Sequence, residues 1–220
     1  MSREPLTRDR TLAAAVDLAD AEGLKALTMR RLAADLGVEA MSLYYHLPGK
    51  VGLLDGLAER VIAEIRAAIG EESGDWRERL RHRFLRAREV MLRHPWAPTL
   101  LGSLPSIPPS LYAYYDEIVG TLLAAGFTPR LAHRAIHAFG TMALGFVQEL
   151  FTPDATDVDA AEDDLAAMAA AVPNLTTMMA AEIHAAGDPT LGWCDSQVEF
   201  EFTLDLLLDG LARLASASRV

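Results

Sequence analysis

Between Thr28 and Lys50 the chain gathers side chains suited to touching a charged polymer. Thr28, Arg30 and Arg31 open one short apolar segment. Ala40, Met41, Ser42, Tyr44, Tyr45 and His46 populate a second, and Lys50 follows a Pro-Gly break. Against duplex DNA, Ser42 can meet a base edge, Ala40 and Met41 can meet thymine methyls, and the tyrosine hydroxyls and His46 can donate to phosphates. Arg30 could reach guanine O6 and N7, while Arg31 is the more natural backbone contact. Lys50 opens a helix whose first amides also suit a phosphate. Covalent chemistry has no comparable set: there is no nucleophile–base pair, no pair of catalytic carboxylates and no phosphate loop. Neither an enzyme nor a cofactor is expected.

Those residues need short helices to hold them. Thr7 and Thr28 stand where helix caps belong, Gly23 and Gly37 where helices stop, and Pro48–Gly49 closes a third segment from about Glu39 to Tyr45. Ala33 is small where two helices would cross, Gly37 supplies a positive φ four residues later, and Val38 and Leu43 fall at offsets that pack the third helix onto the second. This is helix-turn-helix spacing, in which the second helix of the pair enters the major groove. Further apolar stripes at helical period follow to the end of the chain, with no strand pattern of any strength. The expected fold is all-α with about nine or ten helices. A three-helix DNA-binding domain occupies 1–50, a helix over 51–70 connects it, and a larger effector-binding and dimerisation domain fills 71–220.

The net charge of −11 excludes a broadly basic nucleic-acid binder. Yet residues 1–50 carry seven Lys/Arg and seven Asp/Glu, against four and sixteen in residues 95–220. The acidity belongs to the C-terminal half and leaves the N-terminal segment able to present a local cationic face. A single cysteine, Cys194, excludes an internal disulfide. The charged N-terminus does not look like a signal peptide, and the longest uncharged run is broken by Pro173–Asn174. A cytoplasmic protein with no membrane segment fits.

The stretch "LTMRRLAADLGVEAMSLYYHLPGKVGLLDGL" resembles the DNA-binding domain of TetR-family transcriptional regulators. The likeness lies in the Leu-Thr start, the Arg pair before Leu-Ala, the Leu-Gly-Val turn, Leu-Tyr-aromatic-His and the lysine opening the fourth helix. "LLAAGFTPRLAHRAIHAFGTMALGFVQEL" is similar to the C-terminal domain of the tetracycline-repressor subgroup. The resemblance implies a homodimer, an all-helical ligand chamber and release from the operator when an effector binds. Ala40–Met41 replace that repressor's Gln-Pro pair, which implies a different operator. Its metal-binding histidines fall at Arg66 and Leu100, neither of which is an imidazole, so a metal–tetracycline effector is not expected.

In the C-terminal half, Phe200, Leu204, Leu207, Leu211 and Leu214 repeat at heptad spacing and suggest a seam with a second copy. Ile136, Phe139, Gly140 and Ala143 on an earlier helix would complete a four-helix bundle between subunits. Phe84, Met91, Trp96, Leu100, Met142 and Phe146 are candidates to line an apolar pocket, with Arg66, Arg88 and His137 as polar anchors. His133 and His137 stand four residues apart but lack a third ligand, so no metal is expected. The expected function is a ligand-responsive homodimeric repressor that binds a pseudo-palindromic operator on double-stranded DNA and is released by a small apolar effector. A ligand-free DNA-binding dimer and an all-α carrier or enzyme are the alternatives.

Overall fold

A computed structural model describes residues 5–146, 170–181 and 196–217, and ten α-helices with no strand occur among them. Helix α1 (Arg8–Glu22) begins where the Thr7 hydroxyl accepts from the Arg10 amide at 3.1 Å, and it ends at Gly23. In α2 (Met29–Leu36) the Thr28 hydroxyl accepts in the same way from the Arg31 amide. The turn into α3 (Ala40–Tyr44) rests on Gly37, whose φ of 64° and ψ of 38° are left-handed. The Val38 amide donates to the Ala33 carbonyl at 2.9 Å and the Gly37 amide to Ala34 at 3.0 Å, the paired bonds of a Schellman stop. An L-side chain at 37 would crowd this conformation, so glycine sets the angle between the two helices.

The 21-residue α4 (Gly49–Ile69) carries that three-helix head into the body. A Cβ on Gly56 would stand 2.6 Å from a Leu12 methyl carbon. Glycine there lets α1 lie directly on α4. The body follows as α5 (Trp76–Arg93), α6 (Ala97–Ser103), α7 (Pro109–Ala124), α8 (Pro129–Gly145), α9 (Pro173–Ala181) and α10 (Ser196–Ala217). A capping box of Asp75 and Glu78 starts α5, and Thr128 caps α8. One core runs through both parts, from Leu12, Leu32 and Leu43 to Phe84, which stacks on Phe139 at 4.8 Å. The apolar pattern of α8 continues in sequence to Phe151, but its described part ends at Gly145. The remainder, the acidic segment from Asp154 to Asp164 and Cys194 lie outside the described residues.

The expected dimer seam needs correction. Phe200, Leu204 and Leu211 are buried against α5 and α8 within the protomer, and Leu207 is half-buried. Phe139 is fully enclosed as well, behind Phe84. The heptad spacing on α10 therefore records the inward face of its own subunit. Of the five residues assigned to the seam there, Leu214 alone is exposed, and it continues an outer row of Val198, Phe202 and Leu206. With Gly210, these residues follow one another at every fourth position, which is a ridge of the kind that packs against another helix.

Candidate DNA-reading surface and effector cavity

The α3 helix is five residues long and is pinned by one side chain, the fully buried Leu43, with Leu47 just beyond it. Its large side chains turn towards solvent. Met41 is 70% exposed, Tyr44 50% and Tyr45 87%, while Ser42 and His46 are half-buried. Ala40 packs partly against the core. Large exposed apolar groups on so short a helix make it a candidate interaction surface. Thr28 is both exposed and committed as a cap, and Arg30 and Lys50 are exposed with no ion-pair partner among the described residues. Arg31, expected at the DNA backbone, has partners within the protein. It pairs with Glu22 at 2.7 Å and Asp35 at 3.2 Å, which braces α2 against α1.

A polar latch joins this head to the body. His94, at the end of α5, bonds Asp20 of α1 through Nδ1 at 2.8 Å and Glu64 of α4 through Nε2 at 3.0 Å. The Trp96 indole also donates to Asp20 at 2.6 Å, and Arg93 holds Glu64. Burial opposes the charge on His94, but its hydrogen bonds to Asp20 and Glu64 prevail and raise it above the ordinary histidine value. A raised folded-state value makes the protonated latch stabilising below an unfolded value of about 6.5, and that contribution fades as pH rises through the folded value. Wild-type protein should therefore lose thermal stability from near pH 6.5 upwards more steeply than His94→Gln. Melting curves at stepped pH check this, and parallel slopes would remove the latch.

Between α4, α5, α7 and α8 lies a narrow cavity of about 70 Å³, the volume open to the centres of water molecules. Ile62 and Ile65 bring α4 to its wall, Phe84 and Met91 bring α5, and Tyr114 and Ile118 bring α7. Ile136, Gly140 and Ala143, expected at the dimer seam, also face it. Seven of the expected ligand contacts stand elsewhere. Arg66 is exposed and paired with Glu117 of α7, and His137 is exposed with its ring against His133. Trp96 is held by the latch, Leu100 and Met142 pack in the core, and Phe146 lies edge-on to Phe200. Arg88 is the seventh. It is fully buried, donates to Gln197 at 3.1 Å and to the Phe146 carbonyl, and sits 4.8 Å from the Phe200 ring centre. It ties α5 to α8 and α10, not to the cavity.

Residues 12–57 match the family model of bacterial regulatory proteins of the tetR family, and residues 70–215 match that of the tetracyclin repressor-like C-terminal domain. The chain belongs to the TetR family. It is 33% identical to the HTH-type transcriptional repressor DrrR1 of Streptomyces coeruleorubidus, over 97% of this chain and 80% of that one. It is 29% identical to the class G tetracycline repressor protein of Vibrio anguillarum, with 96% of each chain covered. Among solved structures, Streptomyces coelicolor ActR in complex with actinorhodin superposes with a TM-score of 0.72 at 28% identity, covering 96% of this chain and 99% of that one.

Within this TetR-family chain, several groups escaped sequence reasoning. Arg83 belongs to a stretch that reads as a solvated arginine-rich face, yet it is buried between Glu72 at 2.9 Å and Glu117 at 2.8 Å. Tyr114 carried a usable signal, since Leu111, Tyr114 and Ile118 share one helical stripe. The Asp20–His94 bond joins residues 74 positions apart and has no local signature. No helix among the described residues is long and apolar enough to cross a membrane, and no group of three potential metal ligands occurs among them.

Proposed function

We propose that the protein is a dimeric transcriptional repressor that places α3 in the major groove of an operator and leaves it when a small, largely apolar effector enters the cavity. The carrying observation is the exposure of Met41, Tyr44 and Tyr45 on and just after a short helix whose one fully buried side chain is Leu43. In this reading Met41, Ala40 and Ser42 face base edges, Arg30 reads a guanine, and Tyr44, Tyr45, His46, Thr28 and Lys50 meet the phosphates. Two copies are needed, because one five-residue helix spans few base pairs and specificity requires half-sites about one helical turn apart. The ridge of Val198, Phe202, Leu206 and Leu214 on α10 supplies the apolar surface for that pairing.

Two of the cavity's wall residues, Ile62 and Ile65, belong to the helix that carries the DNA-reading head. The free cavity is narrow, with about 70 Å³ open to the centres of water molecules. In this reading a bulkier effector widens it by displacing a wall. Displacing α4 changes the separation of the two recognition helices, and the effector favours the form it fits. DrrR1 is named a repressor and ActR binds actinorhodin, which supports repression and ligand response here. Arg66 and Leu100 stand where the tetracycline repressors carry metal-binding imidazoles, so the effector differs from metal–tetracycline. Arg30→Ala should weaken operator binding by about 1–3 kcal/mol and relax specificity at one base position. Fluorescence anisotropy on specific and random duplexes measures this. An unchanged specific-to-random ratio would take Arg30 off the base-reading face.

A further inference from the structure

The wall of the cavity carries no Asp, Glu, Lys, Arg or His among the described residues. An ionised ligand there would lose its hydration with no counter-charge to meet it. The wall does carry Tyr114, which is buried, and whose hydroxyl has no hydrogen-bond partner among the described residues. Buried hydroxyls in folded proteins are nearly always bonded. This one, on a residue of the cavity wall and closed to water in the free protein, is left for a ligand that widens the cavity to satisfy. Arg83 lies over the Tyr114 ring at 5.2 Å, but its guanidinium is engaged by Glu72 and Glu117. Burial pushes the Tyr114 phenol above its ordinary value, so at neutral pH the group is an O–H donor.

We infer that the effector is neutral and mostly apolar and presents one hydrogen-bond acceptor, a carbonyl or similar oxygen, to which the Tyr114 hydroxyl donates. This rests on the effector role proposed for the cavity. A ligand offering only a donor would leave the phenolic hydrogen unmet, and a pure hydrocarbon would leave the whole hydroxyl open. A site built around such a buried polar group discriminates strongly against an analogue that lacks its partner.

Acetophenone and α-methylstyrene test this, because they share a shape and differ in an oxygen against a methylene. Calorimetric titration of the full-length protein should show acetophenone bound at least tenfold more tightly. Tyr114→Phe should bind the two equally and melt no lower than wild type, since it deletes an unpartnered hydroxyl. Tyr115→Phe, altering the half-buried tyrosine of the same wall, should keep the preference. Equal binding of both probes to wild type, or a preference that survives Tyr114→Phe, overturns the inference while leaving the cavity as a ligand site. Failure of both probes to bind at millimolar concentration overturns the inference and the cavity's ligand role together.

Discussion

A chain carrying Phe202→Glu and Leu206→Glu will sediment as a 23.9 kDa monomer and lose operator affinity by roughly three orders of magnitude. Phe202 is 60% and Leu206 52% exposed in the protomer, so carboxylates at both positions meet water and leave the subunit folded. In the dimer they would face each other across an apolar contact, where unpaired charge is strongly unfavourable. Without pairing, one head reaches one half-site, and only the phosphate attraction common to all DNA remains. The control is Leu211→Glu, one turn further along but buried in the protomer core. It should unfold the protein instead of splitting the dimer. Sedimentation with circular dichroism on both variants separates the outcomes, and a folded dimer of the double mutant would refute the outer ridge as the seam.

Arg83→Ala should lower folding stability by about 3 kcal/mol. The guanidinium is almost wholly enclosed, with Glu72 on one side and Glu117 on the other, so truncation strands a carboxylate that Arg83 now satisfies. Breaking a buried pair in this way costs about 3–5 kcal/mol, and the low end applies because the Glu117 side chain keeps 33% of its surface in water. Arg79 retains a bond to Glu72 at 3.2 Å, and Arg66 still pairs with Glu117, which softens the loss further. The same substitution frees Tyr114 from the cation above its ring, so ligand binding should change along with stability. Denaturant titration measures the first effect. A loss below about 0.5 kcal/mol, the size expected of an ordinary surface change, would mean that the arginine is in effect solvated.

The head of the molecule was legible because its constraints are local. Thr28 caps, Gly37 turns left-handed and Leu43 plugs the core, and each is recognisable within ten residues of the next. The all-helical class follows from periodicity for the same reason. The body was harder. Phe200 and Phe202 are two positions apart on α10, one enclosed and one exposed, and both belong to regular apolar rows. A periodic pattern shows that a helix has apolar faces but not which neighbour covers each of them. Arg83 and Arg88 were misplaced for a related reason. Arg83 lies in an arginine-rich stretch that reads as water-facing, and Arg88 beside the apolar stripe reads as a pocket anchor, until Glu72, Glu117, Gln197 and the Phe146 carbonyl arrive from elsewhere in the chain. Long-range partners have no signature in the local sequence, and the cavity is built wholly from such encounters.

The central claim is that the outward side of α3, presented twice by a paired molecule, reads duplex DNA. Selection of bound duplexes from a random library, followed by sequencing, tests it directly. The account predicts enrichment of an inverted repeat with half-sites about 10 base pairs apart, centre to centre. It also predicts that this enrichment disappears in a Met41→Ala, Ser42→Ala, Tyr44→Ala variant that still folds and dimerises. Recovery of the same repeat by that variant, or of no repeat by the wild type, would contradict it.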